Sequence, residues 1–146
     1  VSICPVATCT VPGPTPTLGG GTYTWSVQTY NPAGYGPWSS RSFTTTTPTI
    51  PTGATLTAPI GTVTNATPAY QWNRVNMATW YRLYVKGPGG KVVLDEWYQA
   101  ASVCNATTCS VLSPTTLENG DHTWWVQSNN VAGYSPWKSA AFKVNP

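Results

Sequence analysis

Residues 4–45 and 104–144 spell one pattern twice, and this internal repeat limits the fold more than any other feature of the chain. The first copy reads CPVATCTV, TYTWSVQTYNPAGYGPWSS and SF; the second reads CNATTCSV, DHTWWVQSNNVAGYSPWKS and AF. The offset is 100 from Cys4 to Cys104 and 99 from Trp25 to Trp124 and from Trp38 to Trp137, because Pro16 has no counterpart. A period of this size is one small domain, not a turn of a solenoid. Residues 48–103 occur once. The expected organisation is therefore a partial module over 1–47, carrying the last three strands, followed by a complete module over 48–146. The chain opens at Val1 with neither Met nor an apolar leader, as expected of a processed or excised piece of something longer.

Periodicity and turn chemistry make the complete module all-β. Strands are expected over Thr55–Ile60, Ala69–Arg74, Trp80–Lys86, Val92–Tyr98, Cys109–Leu112, His122–Asn129 and Ser139–Val144. Between them stand Pro59 and Gly61, the run KGPGGK at 86–91, Pro114, Asn119-Gly120, and Gly133 with Pro136. Seven short strands without a helical period indicate a β-sandwich. Alternation assigns faces. His122, Trp124, Val126 and Ser128 share one side of their strand, Tyr81, Leu83 and Val85 one side of theirs, and Tyr70 and Trp72 point together. In the first copy Tyr23, Trp25, Val27 and Thr29 take the matching inner positions.

The four cysteines form two C-x4-C pairs, Cys4/Cys9 and Cys104/Cys109. With a single His in the chain, zinc ligation is disfavoured, and no cofactor or metal is expected. Two local disulfides are the better reading; each would stabilise by roughly 2 kcal/mol in the chain-entropy model and implies an oxidising compartment.

The whole pattern resembles the fibronectin type III module. Trp72 in AYQWNRV, the run YRLYV, Leu117 followed by His122, Trp124 and Val126, and the turn N-x-A-G-Y-x-P-W-[SK]-S carry the resemblance, over 50–146 and, for the last three strands, 4–46. It implies an immunoglobulin-like sandwich. Two departures are the C-x4-C loop and Trp at positions 38 and 137, and His122 replaces the corner tyrosine that Tyr23 retains. Such modules serve as spacers, adhesion domains and enzyme appendages, so the resemblance leaves function open.

Composition speaks against catalysis. The chain holds four carboxylates and one imidazole. Asp95 and Glu96 are neighbours on one strand and leave on opposite faces, so they cannot pair across a scissile bond. Glu118 and Asp121 flank an Asn-Gly turn, and His122 fills a structural slot. Seven scattered Lys and Arg give a net charge of +3 without a cluster, so nucleic acid is not an expected partner, and no apolar run suggests membrane insertion.

Eight Trp and eight Tyr exceed what one and a half small cores require. The face assignment sends Trp80, Tyr84 and Trp125 outward, joined by Trp97 or Tyr98, with Arg82, Gln127 and Asn129 beside them. This strip suits a protein interface, including self-association with neighbouring modules, or the ring face of a glycan. A third reading is an internal stack in which Arg82 or Arg41 lies between tryptophans. Asn65 and Asn105 head N-x-T patterns and are candidate N-glycosylation acceptors. The Thr/Pro-rich stretch 44–53 is expected to be an extended linker. The inner face of the partial module, Tyr23, Trp25 and Val27, cannot be buried by three strands alone, so it is expected to be completed either by strands from an upstream piece or by another subunit through strand complementation. The function expected is a non-enzymatic extracellular or cell-surface structural protein whose modules build an array or filament. The alternative is a glycan-binding or adhesion segment of a larger secreted protein.

Overall fold

The computed structural model describes Cys9 and residues 18–146. The chain divides into two compact units, Val1–Thr47 and Pro48–Pro146.

In the first unit, β1 (Gly21–Asn31) and β2 (Gly34–Thr45) pair antiparallel from Gly21 opposite Thr45 to Asn31 opposite Gly34. The Asn31 side chain closes the turn by accepting the Ala33 N–H at 2.9 Å. Strict alternation makes the hairpin two-faced. One face is a ladder of cross-strand hydroxyl pairs: Thr22 with Thr44 at 3.2 Å, Thr24 with Ser42 at 2.8 Å and Ser26 with Ser40 at 2.8 Å. The other carries Trp25, Val27 and the stacked rings of Tyr23 and Phe43, 5.8 Å apart. The third strand expected for this unit lies outside the described residues, as does Cys4.

The second unit is the sandwich. Its elements are β3 (Leu56–Ala58), β4 (Gly61–Val63), β5 (Ala69–Asn73), β6 (Trp80–Lys86), β7 (Val92–Gln99), a single helical turn α1 (Ala100–Val103), β8 (Thr108–Leu112), β9 (Gly120–Asn130), β10 (Gly133–Tyr134) and β11 (Lys138–Val144). One sheet has the order β4-β11-β9-β6-β7, with β10 on the end of β9; the other has the order β3-β5-β8. The inner faces follow the sequence alternation. Tyr70 and Trp72 from β5 meet Tyr81, Leu83 and Val85 from β6, Trp124 and Val126 from β9, and Phe142 and Val144 from β11, all buried. Each large side chain so buried contributes about 1.5–3 kcal/mol. The Trp124 indole N–H donates to the Pro59 carbonyl at 3.0 Å, so its one polar atom is satisfied inside the core.

Three expectations need correction. The strand expected over Thr55–Ile60 is shorter, Leu56–Ala58, and is followed by an unexpected strand, Gly61–Val63, in the other sheet: Pro59 offers no N–H to a ladder and Gly61 takes a φ of +67°, and between them the chain crosses from β5 to β11. The turn α1 was not foreseen; four residues are too few for a helical period to register. The stretch 44–53 is not a uniform linker. Thr44 and Thr45 belong to β2, while Ser128 Oγ donates to the Thr52 carbonyl and Asn130 Nδ2 to the Thr49 carbonyl, both at 2.8 Å, which fastens this end of the stretch to β9. The run KGPGGK is the β6–β7 connection, with Gly89 and Gly90 at φ of +69° and +79°.

Candidate functional site

Two surfaces stand out, one on each unit. On the sandwich it is the outer face of the large sheet. Alternation sends Trp80, Arg82, Tyr84 and Lys86 of β6 outward, and the register sets Arg82 opposite Trp97 of β7 and Gln127 of β9, and Tyr84 opposite Asp95 and Trp125. Arg82 reaches diagonally to Asp95: Nε donates to Oδ1 at 2.7 Å and Nη2 to Oδ2 at 2.8 Å. This fork-to-carboxylate geometry holds the Asp95 carboxyl below the usual carboxylate range and raises Arg82 further. Both side chains stay more than a third exposed, at 38% and 36%.

The guanidinium lies over the rings of Trp97 and Trp137, at 6.0 and 5.8 Å from their centroids. Tyr134 packs on Trp97 at 5.9 Å, and Tyr84 on Trp125 at 5.5 Å with the Lys86 ammonium 5.7 Å from the phenol ring. Of the three readings of the aromatic strip, internal stacking about Arg82 is present. Arg41 instead sits opposite Trp25 in the β1–β2 register. The stack leaves a shallow concavity of about 450 Å³ lined by Arg82, Tyr84, Asp95, Trp125 and Trp137. Its flanking amides are occupied: Gln127 Nε2 donates to the Ser135 carbonyl at 2.9 Å and Asn129 Nδ2 to the Gly133 carbonyl at 3.1 Å. Trp80 lies apart from the stack, beside Gln99 and Ala100. Of the alternatives Trp97 and Tyr98, Trp97 faces out and Tyr98 packs against the core. Asp95 was missed as a partner of this strip, although it alternates with Trp97 and so shares its face.

Glu118 and His122 lie away from this strip. The Glu118 carboxylate accepts from Lys91 Nζ at 2.9 Å, which lowers its pKa. His122 is buried, with Nδ1 3.0 Å from the Gly120 carbonyl and its ring stacked 5.1 Å from Phe142. Its counterpart Tyr23 donates its hydroxyl to the Gly19 carbonyl at 3.2 Å, a tyrosine-corner bond. Cys104 and Cys109 are disulfide-bonded and bracket a loop in which Asn105 Oδ1 accepts the N–H groups of Thr107 and Thr108 at 2.9 and 2.7 Å. Asn65 makes a similar turn, accepting from the Thr67 N–H at 2.8 Å and hydroxyl at 3.0 Å. Among the described residues no three His, Cys, Asp or Glu side chains gather as metal ligands, and no helix is long and apolar enough to cross a membrane.

The second surface is the apolar face of the β1–β2 hairpin. Trp25, Val27 and Phe43 are exposed by 52%, 51% and 44%. Their counterparts at the 99-residue offset, Trp124, Val126 and Phe142, are exposed by 0%, 0% and 3%. The geometry is otherwise the same. Trp25 faces Arg41 as Trp124 faces Ala140, and Tyr23 faces Phe43 as His122 faces Phe142. Gln28 Nε2 donates to the Gly36 carbonyl at 3.0 Å as Gln127 does to Ser135, and Asn31 closes its turn as Asn130 closes the one before Gly133. One sequence pattern makes one hairpin twice, covered once and, among the described residues, open once.

Two packed sheets of this order and connectivity define an immunoglobulin-like β-sandwich of the fibronectin type III kind. Among solved structures, one match supports this fold and two weaker ones are similar only in part. Domains d3–d4 of the rat CD45 extracellular region match with a TM-score of 0.51 and 16% identity over 97% of this chain and 71% of that one. The FN1–FN3 domains of chicken CNTN1 match at 18% identity and a TM-score of 0.44, over 89% of this chain and 45% of that one. Chitinase ChiW from Paenibacillus sp. str. FPU-7, described as a cell-surface-expressed multi-modular enzyme, matches at 13% identity and a TM-score of 0.49; 68% of this chain spans 9% of it. At 16% identity the likeness to the CD45 domains is one of fold alone. No family profile and no curated protein sequence matches the chain.

Proposed function

We propose that this chain is a non-enzymatic structural segment of an extracellular or cell-surface protein, in which fibronectin type III-like modules build an array or filament through strand contacts. The single observation that carries the reading is the open apolar face of the β1–β2 hairpin, with Tyr23, Trp25, Val27 and Phe43 on one side and a hydroxyl ladder on the other. A two-stranded hairpin of this polarity is marginal alone in water and gains stability when a second layer covers it. The Cys104–Cys109 disulfide supports an oxidising compartment, and the outer Arg82 stack stiffens the complete module as a spacer. Light scattering and negative-stain imaging over a range of concentrations test the reading. Regular polymers lost on Trp25→Ser support it, and a strict monomer at every concentration overturns the filament form.

The concavity over Tyr84, Trp125 and Trp137 favours a second reading, glycan binding by a segment of a larger secreted protein. Flat indole and phenol faces suit the apolar side of a pyranose. The amides of Gln127 and Asn129 weigh against it, since each already spends one N–H on a backbone carbonyl that fixes its orientation. Quenching of tryptophan fluorescence by soluble oligosaccharides would favour this reading.

A further inference from the structure

Charge and shape at the outer concavity of the large sheet narrow what it can hold. Trp125, Tyr84 and Asp95 stand in one cross-strand row over β9, β6 and β7, and Arg82 stands between Gln127 and Trp97 in the next row. Adjacent strands are about 4.8 Å apart, so the row from Trp125 to Asp95 spans about 10 Å, the length of a disaccharide. The charged groups in the lining are one cation and one anion, Arg82 and Asp95, already joined to each other. An anionic ligand therefore finds no unpaired cation there. A cationic ligand finds no unpaired anion, and two of the ring faces already carry protein cations, with the Arg82 guanidinium 5.8 Å from the Trp137 centroid and the Lys86 ammonium 5.7 Å from that of Tyr84. A neutral ligand escapes both costs.

The fork between Arg82 and Asp95 also has hydrogen-bonding capacity to spare. It uses Nε and Nη2 of Arg82 and leaves Nη1 outside, while each Asp95 oxygen accepts one bond and keeps a lone pair. A donor and an acceptor placed side by side match two neighbouring hydroxyls, one accepting from the guanidinium and the other donating to the carboxylate. Charge-assisted bonds of this kind are stronger than those of the Gln127 and Asn129 amides. We propose that the concavity is a subsite for a neutral β-1,4-linked glycan with equatorial ring hydroxyls, its apolar ring faces on Trp125 and Trp137 and its hydroxyl edge on the Arg82–Asp95 fork. The proposal rests on the glycan reading above and names its ligand. Equatorial hydroxyls lie near the plane of the ring, so the face meets an indole while the edge meets the fork. An axial hydroxyl stands out of that plane and holds the ring off the indole.

Titration of the isotope-labelled full chain, read at the tryptophan indole N–H signals, tests this with four β-1,4-linked hexasaccharides: cellohexaose, its C6-carboxylated form, hexaglucosamine and mannohexaose. The first three share one equatorial skeleton and differ in charge, and mannohexaose carries an axial hydroxyl at C2. The expected result is saturable shifts of the Trp125 and Trp137 signals with cellohexaose, and binding about tenfold weaker or more for the other three. Trp125→Ser and Asp95→Asn should each weaken cellohexaose binding by about tenfold, and Trp125→Phe, which keeps a ring face, should restore most of it. Trp125 faces outward, and the matching hairpin β1–β2 carries Ser26 at this position, so Trp125→Ser leaves the module folded. A charged hexasaccharide or mannohexaose that binds at these indoles as tightly as cellohexaose overturns the inference and leaves the glycan reading standing, as does cellohexaose binding that Trp125→Ser does not weaken. If none of the four moves the indole signals, the inference and the glycan reading fall together. They also fall together if the signals shift with protein concentration alone, which would make the strip a contact between copies.

Discussion

Arg82 and Asp95, on neighbouring strands, are joined by two hydrogen bonds of 2.7 and 2.8 Å while the indoles of Trp97 and Trp137 cover the guanidinium. The pair is solvent-facing, so screening leaves it about 0.2–1 kcal/mol. Asp95→Asn should cost that much in urea unfolding, and Arg82→Ala about 1–2 kcal/mol because the stack is lost as well. The folded Asp95 carboxyl lies below its unfolded value, so its contribution is present above about pH 4 and disappears as pH falls through the lowered folded value. The stability gap between Asp95→Asn and the parent chain should therefore be open at neutral pH and closed in strong acid.

Reducing the Cys104–Cys109 bridge, or replacing both residues by Ser, should lower the stability of the complete module by roughly 2 kcal/mol, the entropy of a short loop. The loss should be partial. Cys109 is a fully buried neighbour of the core, but Trp72, Tyr81 and Trp124 close that core without it. Thermal melts with and without reductant check this.

Much of the sandwich was legible because its strands are half-buried and alternate: the inner and outer sets of β6 and β9 could be read from single residues such as Leu83 against Arg82. What escaped depends on contacts distant in sequence. The end of β3 at Ala58 and the start of β4 at Gly61 are set by which sheet each can join, and a local run of β-formers carries no sign of it. The ion pair of Arg82 with Asp95 needs the β6–β7 register, which the KGPGGK connection fixes only once its glycines have taken positive φ. On the candidate sites, alternation placed Arg82, Tyr84 and Trp125 on the outward face, but Trp80 lies apart, Asp95, Tyr134 and Trp137 were not foreseen as members, and the Gln127 amide is bonded to the Ser135 carbonyl through the β9–β10 turn.

Burial pushes the Tyr70 phenol up to about 12; Ser113 offsets this in part and Tyr98 adds to it. A pKa raised in the folded state means that its share of stability is complete below the unfolded value near 10 and is lost as pH rises from there through the folded value. Alkaline titration followed by phenolate absorbance should show Tyr70 ionising only near the alkaline unfolding transition. Over that window stability should fall by about 2–3 kcal/mol more in the parent chain than in Tyr70→Phe.

The sharpest contrast in the molecule is between two tryptophans at one position of the repeat. Trp124 is fully buried and donates its indole N–H to Pro59, so Trp124→Ala should cost about 3–5 kcal/mol. Trp25 sits in the same register and is half-exposed on a separate unit, so Trp25→Ala should move the unfolding of the 48–146 module by less than about 0.5 kcal/mol. Urea unfolding of the two variants by near-ultraviolet circular dichroism decides the matter. An equal loss for Trp25→Ala would mean that its face is already covered in the free chain, and the hairpin would then have no vacancy to offer a partner.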